Sequence, residues 1–435
     1  MIRHLMLALA LLAGPAAAQP LAEAQQPLGD APALGGRGSH VVGVVEETID
    51  LGPRPDATRP DGKGGFALAN RRLGLVIWYP AQGPASAAGT LYRYPTTPVE
   101  TVPAGAVPAE VAVPGQAVRG ASAAAGRWPL VLLSHGFANR ALMFSDLAEH
   151  LASKGYVVAA IDHGDLADLA VSRPLAFLNN VVHRAADQRL VMAELTRRAT
   201  SGAGLWAHVD AARIALAGYS MGGFGALATA GASYDSASPL FAQGPPGAAT
   251  LLAQTPPPPP ALKALIAFAP WGGSQPLRAF TPAGLSRMAV PALFIAGDAD
   301  DVAGYDGGIR YLFEQAGGPR TLLTYENARH NVATNATPAM LAHRFEYRER
   351  QDEPVWRKDR ILAINVHFIT AFLDWRLKGD AAAARWLAVP TPRAVDGQWP
   401  LAQGENAGDR TDGPAQHWPG FQRRWAMGLR LETRP

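Results

Sequence analysis

Cysteine is absent from the 435-residue sequence. Its absence excludes disulfide bonds, thiolate metal sites, iron–sulfur clusters and a cysteine nucleophile. Charged residues are also few, at 17% of the chain, and 39 Lys and Arg nearly balance 36 Asp and Glu. Because no block of Lys or Arg supplies the clustered positive charge that phosphate groups require, we expect no nucleic-acid partner. A hydrophobic content of 48% excludes wholesale disorder.

The N-terminus has the three segments of a secretory signal peptide. A basic start that contains Arg3 precedes the apolar run 5–13, and the small residues 16–18 follow before Gln19. This run is shorter than the roughly 18 apolar residues that a membrane-spanning helix needs, and its flanks fit a cleaved signal. We predict a signal peptide at 1–18, a periplasmic or secreted mature protein and no stable membrane anchor.

Short apolar runs alternate with helical patterns along most of the chain. Runs rich in Val, Ile, Leu and Ala predict strands at 41–51, 74–79, 130–133, 156–161, 213–217, 265–269, 292–296 and 321–325. Apolar residues at helical spacing predict helices around 143–151, 182–195, 221–231, 308–316 and 361–375. Continuously apolar strands separated by helices imply a mostly parallel sheet with helices on both faces, an α/β fold.

This pattern favours one large catalytic domain with additions. An N-terminal part, 19–128, contains the first strands and an Ala-, Gly- and Pro-rich excursion for which a hairpin is one interpretation. The core spans 129–380 and is interrupted by a Pro-rich insertion at 235–262, whose five-proline tract 256–260 must be extended. A C-terminal extension spans 381–435, and its Pro-, Trp- and Arg-rich tail after Pro390 is expected to pack on the surface.

A sharp turn between a strand and a helix is predicted at Gly218-Tyr219-Ser220-Met221-Gly222, which has the form G-x-S-x-G. A serine at such a turn has strained backbone geometry, so the residues two positions away must be small. Its Oγ then projects above the carboxyl end of the sheet, beside a helix N-terminus that favours developing negative charge. The alternative is a capping serine at the start of a Gly-rich helix. The strand before the turn and the small-residue helix after it favour Ser220 as a nucleophile.

A serine nucleophile needs a base, and the base needs an orienting carboxylate. His330 lies just past the strand 321–325, at the sheet edge where the nucleophile is expected, and it is the predicted base. The acid should end the preceding strand, where Asp298, Asp300 and Asp301 are the candidates. We favour Asp300 and keep Asp301 and then Asp298 as alternatives.

Two main-chain N–H groups should bind the oxyanion that forms on the substrate. One is the N–H of Met221, which follows the nucleophile, and the other comes from the loop after the strand 130–133. We predict the N–H of Phe137 there, with Ala138 as the alternative, and we expect His135 to hold the loop.

Three further side chains are candidates for contact with the substrate. Trp271 follows the strand 265–269 and either lines the acyl or alcohol pocket or belongs to the core. Tyr219 precedes the nucleophile, and His163 follows the strand 156–161 at the same sheet edge.

Several segments of the chain resemble those of α/β-hydrolases. They are Leu132-Leu-Ser-His-Gly-Phe137, 150–163, Ala217-Gly-Tyr-Ser-Met-Gly-Gly223, Ala269-Pro-Trp-Gly-Gly273, 295–302 and Asn327-Ala-Arg-His330. Together they span roughly residues 129–378 and resemble the serine enzymes related to dienelactone hydrolases and platelet-activating-factor acetylhydrolases. The resemblance implies the α/β-hydrolase fold and a Ser-His-Asp triad, but no particular substrate.

Two departures distinguish the chain from the families it resembles. Dienelactone hydrolases use a cysteine nucleophile, whereas this chain has Ser220 at that position. The stretch 218–223 is also similar to secreted cutinase-like polyesterases, which usually carry a disulfide that this chain cannot form.

The combined prediction is a serine hydrolase that cleaves carboxylic esters through an acyl-enzyme intermediate. Its substrate would be a small-molecule or lipid-like ester, and no metal or organic cofactor is implied. The alternatives are an amidase or peptidase with the same triad, a secreted polyesterase or lipase-like enzyme, and a non-catalytic binding protein on a hydrolase scaffold. The last is disfavoured because no member of the triad is missing.

Overall fold

The computed structural model describes most of the chain. The described residues are 28–84, 89–103, 105–242, 246–253, 256–399 and 416–435. The predicted signal peptide, 1–18, lies outside them, as does part of the predicted Pro-rich insertion, so both stay predictions. Within these described ranges, no helix combines the length and the apolarity needed to cross a membrane.

Twelve strands and ten α-helices form the regular structure of the described residues. The strands are β1 (Val41–Pro60), β2 (Phe66–Ala81), β3 (Leu91–Pro95), β4 (Glu110–Pro114), β5 (Val118–Arg119), β6 (Trp128–Ser134), β7 (Val157–Asp162), β8 (Val209–Tyr219), β9 (Leu262–Phe268), β10 (Ala292–Gly297), β11 (Arg320–Tyr325) and β12 (Leu429–Arg434). The helices are α1 (Ser145–Ser153), α2 (Asp165–Leu169), α3 (Arg173–Ser201), α4 (Met221–Thr229), α5 (Pro239–Ala242), α6 (Pro246–Leu252), α7 (Pro282–Leu285), α8 (Tyr311–Gln315), α9 (Phe345–Gln351) and α10 (Lys358–Leu373).

Ten of the strands form a single sheet in the order β12-β11-β10-β9-β8-β6-β7-β2-β1-β5. The six strands from β11 to β7 in this order are mutually parallel, so their carboxyl ends meet at one edge. They are apolar and buried, as in β10, all of whose residues are buried. Strands buried on both sides require a layer of helices on each face. The mostly parallel α/β architecture predicted from the sequence is confirmed.

Two predicted helices have different extents in the structure. The helix predicted at 182–195 is part of α3, which runs for 29 residues and begins after Ser172, close to the carboxyl edge of the sheet. The helix predicted at 308–316 is divided between a π-helical turn, Tyr305–Arg310, and the short α8. The polar excursion between β11 and α10 contains one helix, α9.

The excursion before the core contains the hairpin that the sequence left as one interpretation. β3 and β4 pair antiparallel and form a separate two-stranded sheet. The hydroxyl of Tyr92 on β3 donates a 2.6 Å hydrogen bond to Glu149 of α1. The guanidinium of Arg140 lies 4.7 Å from the ring centroid of Tyr94, also on β3. The hairpin therefore packs on the body of the domain beside the loop that follows β6.

The C-terminal extension differs from its prediction. β12 joins the sheet antiparallel to β11, and its residues Leu429 and Leu431 are buried. Trp418, in the segment before it, is 1% exposed. The prediction that this tail packs on the surface is wrong, because its alternating apolar and charged residues suit an edge strand, whose N–H and C=O groups pair with β11.

Candidate active site

Ser220 stands on the tight turn between β8 and α4. Its backbone has φ 53° and ψ −112°, a region that a residue with a side chain adopts only under strain. A Cβ on Gly218 would lie 2.3 Å from the carbonyl oxygen of Gly222, and a Cβ on Gly222 would lie 2.0 Å from that of Ser134. Close backbone contacts therefore require both glycines of the motif, and they hold Ser220 at the carboxyl edge of the sheet.

His330 and Asp300 lie together at this edge, after β11 and β10 respectively. Nδ1 of His330 is 2.7 Å from Oδ2 of Asp300. The other oxygen of Asp300 accepts hydrogen bonds from the N–H groups of Val302 and Ala303, at 2.9 and 2.8 Å. Both carboxylate oxygens are thus held in place, and the imidazole donates from Nδ1, which leaves Nε2 for proton exchange.

The other two acidic candidates have different partners. Asp301 forms a 2.7 Å ion pair with Arg329, and the hydrogen bonds from this arginine lower the pKa of Asp301. Asp298 accepts a 2.6 Å hydrogen bond from the N–H of Asn327. Among the three candidates, the geometry therefore favours Asp300 as the partner of His330.

The nucleophile turn lies between the loop after β6 and the candidate base. A Cβ on Gly136 of that loop would lie 3.2 Å from the Cβ of Ser220. On the other side, the ring of Tyr219 is centred 5.1 Å from the ring of His330. The structure therefore brings the predicted nucleophile, base and oxyanion loop to one place.

Tyr219 has a packing position within this site. It is 6% exposed, and burial, followed by the charges of Asp300 and Glu353, raises its pKa, so the phenol stays neutral. Its ring packs against those of His330 and Phe144. This placement favours support of His330 over the predicted contact between Tyr219 and substrate.

Three main-chain N–H groups are candidate donors to the oxyanion, and they differ in whether each already has an acceptor. The N–H of Met221 is the first of α4, and the first N–H groups of a helix have no acceptor within it. For the N–H of Phe137, no acceptor is found among the described residues. The N–H of Ala138 donates to Asp165 Oδ2 at 3.0 Å, so it is already engaged. The geometry therefore favours Phe137 over Ala138.

His135 orients the peptide unit that carries the Phe137 N–H. Its Nδ1 is 2.7 Å from the carbonyl oxygen of Gly136, and its Nε2 accepts a 3.1 Å hydrogen bond from the N–H of His163. Burial, and next the charge of Arg184, lower the pKa of His135 to about 4, so the imidazole is neutral and donates from Nδ1. Since C=O and N–H point in opposite directions across a trans peptide, the Phe137 N–H faces away from His135.

Three aromatic side chains meet beside the turn. The ring of Phe177, on α3, is centred 5.5 Å from that of Phe137 and 5.4 Å from that of Trp271, edge to face in both cases. The main-chain N–H of Trp271 donates to the carbonyl oxygen of Ser220 at 3.1 Å, and the indole ring of Trp271 contacts the buried Phe224. Trp271 is half-buried and packs on the core, so the core interpretation has support and its contact with substrate stays a prediction. Phe177, which carries no motif, was not predicted.

His163 is not placed for contact with substrate, which corrects the prediction made for it. The side chain is 2% exposed, its Nδ1 is 2.8 Å from Asp187 Oδ2, and its Nε2 is 2.8 Å from Ser134 Oγ. Asp187 also pairs with Arg71. Gln188 donates hydrogen bonds of 2.9 Å to both Ser134 Oγ and the Gly222 carbonyl. His163 therefore belongs to a buried polar cluster that ties the end of β6 to the start of α4.

Comparisons with known proteins agree with this fold. A sequence model of the PET hydrolase-like family matches residues 81–245, which include the loop after β6 and the turn at Ser220 but end before Asp300 and His330. A ferulic acid esterase from Streptomyces cinnamoneus has a similar structure, with a TM-score of 0.52 and 23% sequence identity over 82% of this chain and 94% of that one. No curated protein matches the sequence.

The architecture and the structural neighbour show that the chain has the α/β-hydrolase fold. The match of residues 81–245 to the PET hydrolase-like family agrees with the more particular prediction of a carboxylic-ester hydrolase.

Proposed function

We propose that the chain hydrolyses carboxylic esters with Ser220 as nucleophile, His330 as base and Asp300 as the carboxylate that orients the base. The observation that carries the proposal is the 2.7 Å contact between His330 and Asp300 at the sheet edge where the strained turn of Ser220 stands. A histidine held in this way through Nδ1 is in the correct tautomer to accept a proton at Nε2.

Acylation begins when Ser220 Oγ attacks the ester carbonyl and passes its proton to Nε2 of His330. The carbonyl oxygen gains negative charge, which the N–H groups of Met221 and Phe137 bind. Collapse of this intermediate breaks the bond to the alcohol, which leaves with the proton from His330. The acyl group stays on Ser220.

Deacylation repeats these steps with water as the nucleophile. His330 takes a proton from water, the hydroxide attacks the acyl-enzyme, and the acid leaves as Ser220 recovers its proton. The carboxylate of Asp300 stabilises the imidazolium that forms in both halves of the reaction, while its bonds to Val302 and Ala303 keep it in position.

The surroundings of the turn favour an apolar group on the substrate. Phe137, Phe177 and Trp271 offer ring edges and faces next to the reacting carbonyl, and aromatic groups pack well against such rings. We therefore propose small-molecule or lipid-like esters as substrates. An aromatic polyester is a second candidate, supported by the family match and the same three rings.

The most direct test is covalent labelling with a fluorophosphonate, followed by mass spectrometry of the digested protein. We expect one adduct, on the peptide that contains Ser220, and loss of p-nitrophenyl acetate hydrolysis in proportion to labelling. A series of p-nitrophenyl esters of increasing chain length then defines the acyl preference, with an aminoacyl anilide as comparison. Labelling of another serine contradicts the nucleophile assignment, and faster cleavage of the anilide favours the amidase alternative.

A further inference from the structure

One buried carboxylate binds the main chain on both sides of His330. The N–H of Arg329 donates to Glu353 Oε2, and the N–H of Asn331 donates to Glu353 Oε1, each at 2.6 Å. Glu353 is 7% exposed and lies in the short segment between α9 and α10. Its two oxygens therefore hold the peptide unit that leaves the residue proposed as the base and the peptide unit between Ala328 and Arg329, one residue before it.

A buried lysine binds carbonyl oxygens of the same two segments. The buried Lys358 donates through Nζ to the carbonyl oxygens of Asn331 and Gln351. Burial raises the pKa of Glu353, while the two N–H bonds and the charges of Lys358 and Arg329 act in the opposite direction. Hydrogen bonds and nearby positive charges thus offset the cost of burying the Glu353 carboxylate, and both of its oxygens accept from the backbone beside His330.

Such an arrangement restricts the position of the His330 side chain. Two hydrogen bonds to a charged oxygen pair are stronger than neutral ones, and here they fix the peptide plane that follows the Cα of His330 and the plane that precedes the Cα of Arg329. The Nδ1 contact with Asp300 fixes the direction of the ring, but it does not set where the backbone places that ring. A misplacement of about 1 Å in a catalytic group can reduce a rate by about 10²-fold.

We propose that Glu353 is a positioning residue for the reaction, which sets the location of His330 through the N–H groups of Arg329 and Asn331 without touching the substrate. This inference rests on the proposed role of His330. It goes beyond the triad and oxyanion donors because it assigns a function to the excursion between β11 and α10, which lies outside the part matched by the family model.

The first experiment compares Glu353→Gln with Glu349→Gln in the full-length mature protein, with p-nitrophenyl acetate as substrate. The amide in place of the Glu353 carboxylate turns one acceptor into a donor that faces a backbone N–H. We expect kcat to fall about 10- to 100-fold, with KM changed less than about 2-fold. Glu349 belongs to α9, and its exposed carboxylate is 4.0 Å from Arg329. Its variant makes the same charge change nearby and should keep kcat within about 2-fold.

A double-mutant cycle separates positioning of His330 from a general structural role. Because Glu353 acts through His330, Glu353→Gln should not slow the residual reaction of a His330→Ala variant further. Rates are compared well below the melting temperature of each variant. A lower melting temperature with unchanged kcat overturns the inference, as does an equal loss in the presence and absence of His330.

Two further variants keep the outcome interpretable. If Glu353→Gln does not fold, Glu353→Asp retains the charge but shortens the reach, and kcat should fall about 3- to 10-fold; an unchanged kcat then overturns the inference. Ser220→Ala is measured in parallel. Activity retained by Ser220→Ala contradicts the proposed function itself, whereas its loss together with full activity of Glu353→Gln contradicts only the role of Glu353.

Discussion

Among the described residues, the histidine–aspartate pairs His163–Asp187 and His330–Asp300 have similar contacts. In the first, Nδ1 of His163 is 2.8 Å from Asp187, and Nε2 is 2.8 Å from Ser134 Oγ. In the second, which we propose to be catalytic, Nδ1 of His330 is 2.7 Å from Asp300. The residue types and the histidine–aspartate distance therefore do not distinguish a catalytic group from a structural one.

The surroundings of the two serines do distinguish them. Ser134 is 1% exposed at the end of β6, and its hydroxyl donates to His163 while accepting from Gln188. Ser220 has a strained backbone at the first turn of a helix and faces the loop of Phe137. A nucleophile requires access to a carbonyl and donors for the oxyanion. Ser220 is 9% exposed, against 1% for Ser134, and the N–H groups of Met221 and Phe137 are the donors proposed for it.

The charges around Asp187 in the buried cluster compensate one another. Burial on its own raises the pKa of Asp187, but the Arg71 guanidinium and hydrogen bonds from Arg71 and His163 hold it below its ordinary value. Burial, and next Arg184, hold the pKa of His163 well below its usual range in spite of Asp187. The buried cluster thus holds a neutral imidazole between a serine and a compensated carboxylate, which suits a structural role.

Substitution of the two serines should give the largest contrast. Ser220→Ala should reduce kcat for p-nitrophenyl acetate by at least about 10⁴-fold, because no other group can form the acyl-enzyme. Ser134→Ala should keep kcat within about 10-fold, since it removes one buried hydroxyl from the cluster. Steady-state kinetics and circular dichroism of both variants provide the measurement. A larger rate loss in the Ser134 variant would reverse the assignment.

Substitution of the two aspartates should affect different quantities, kcat for Asp300 and the free energy of unfolding for Asp187. Asp300→Asn should reduce kcat by about 10⁴-fold, because an amide facing Nδ1 favours the wrong imidazole tautomer. Asp187→Asn should reduce the free energy of unfolding by about 3–5 kcal/mol, because it leaves the Arg71 guanidinium without its carboxylate. The measurements are kcat and urea unfolding of each variant.

Asp301→Asn is the matched control for this pair. Its carboxylate is exposed and binds Arg329 rather than His330, so kcat should stay within about 3-fold of the parent value. If Asp301→Asn loses far more activity than Asp300→Asn, the choice of triad acid is wrong.

The pH dependence of stability should give the smallest effect, and His135 is one of several buried histidines that contribute to it. Burial also lowers the pKa values of His150, His163, His183 and His367. The pKa of His135 is about 4 in the folded protein, below the value of about 6.5 in an unfolded chain. Between these values the unfolded chain binds a proton that the folded chain does not, so stability falls as pH is lowered through this window. The slope is on the order of 1.4 kcal/mol per pH unit for one group, and His163 adds to it in the same direction.

Urea unfolding between pH 7.5 and 5.0 measures this slope above the range in which most carboxyl groups titrate. His135→Gln removes one of the buried imidazoles and should reduce the slope, even though it also lowers stability at pH 7.5. His343→Gln, which removes an exposed imidazole, should keep the parent slope. An unchanged slope in His135→Gln contradicts the proposed origin of the effect.

Local sequence patterns predicted much of the fold and the centre of the candidate site. The apolar runs predicted the six parallel strands to within a few residues, because a strand buried on both faces must be continuously apolar. The turn at Ser220 was predictable because close backbone contacts demand glycine two residues away on each side. His330 was predicted from its place after β11, since the ends of parallel strands meet at one edge.

Features that depend on contacts between distant segments were not predicted. Glu353 binds N–H groups 22 and 24 residues away in the chain. Gln188 donates hydrogen bonds to both the Ser134 hydroxyl and the Gly222 carbonyl. β12 has a weak alternating pattern, and its place in the sheet depends on the free edge of β11. Neither the spacing of residues nor the composition predicts these long-range contacts.

Residue order alone predicted the buried strands, the strained turn and, in a chain without cysteine, a serine as the candidate nucleophile. Tertiary packing selected among chemically equivalent side chains. It placed Asp300 rather than Asp301 beside His330, buried His163 with Ser134, and brought Glu353 to the backbone of the base. Backbone sterics and apolar periodicity act between near neighbours, whereas the partner of a polar side chain depends on which distant segments pack against it.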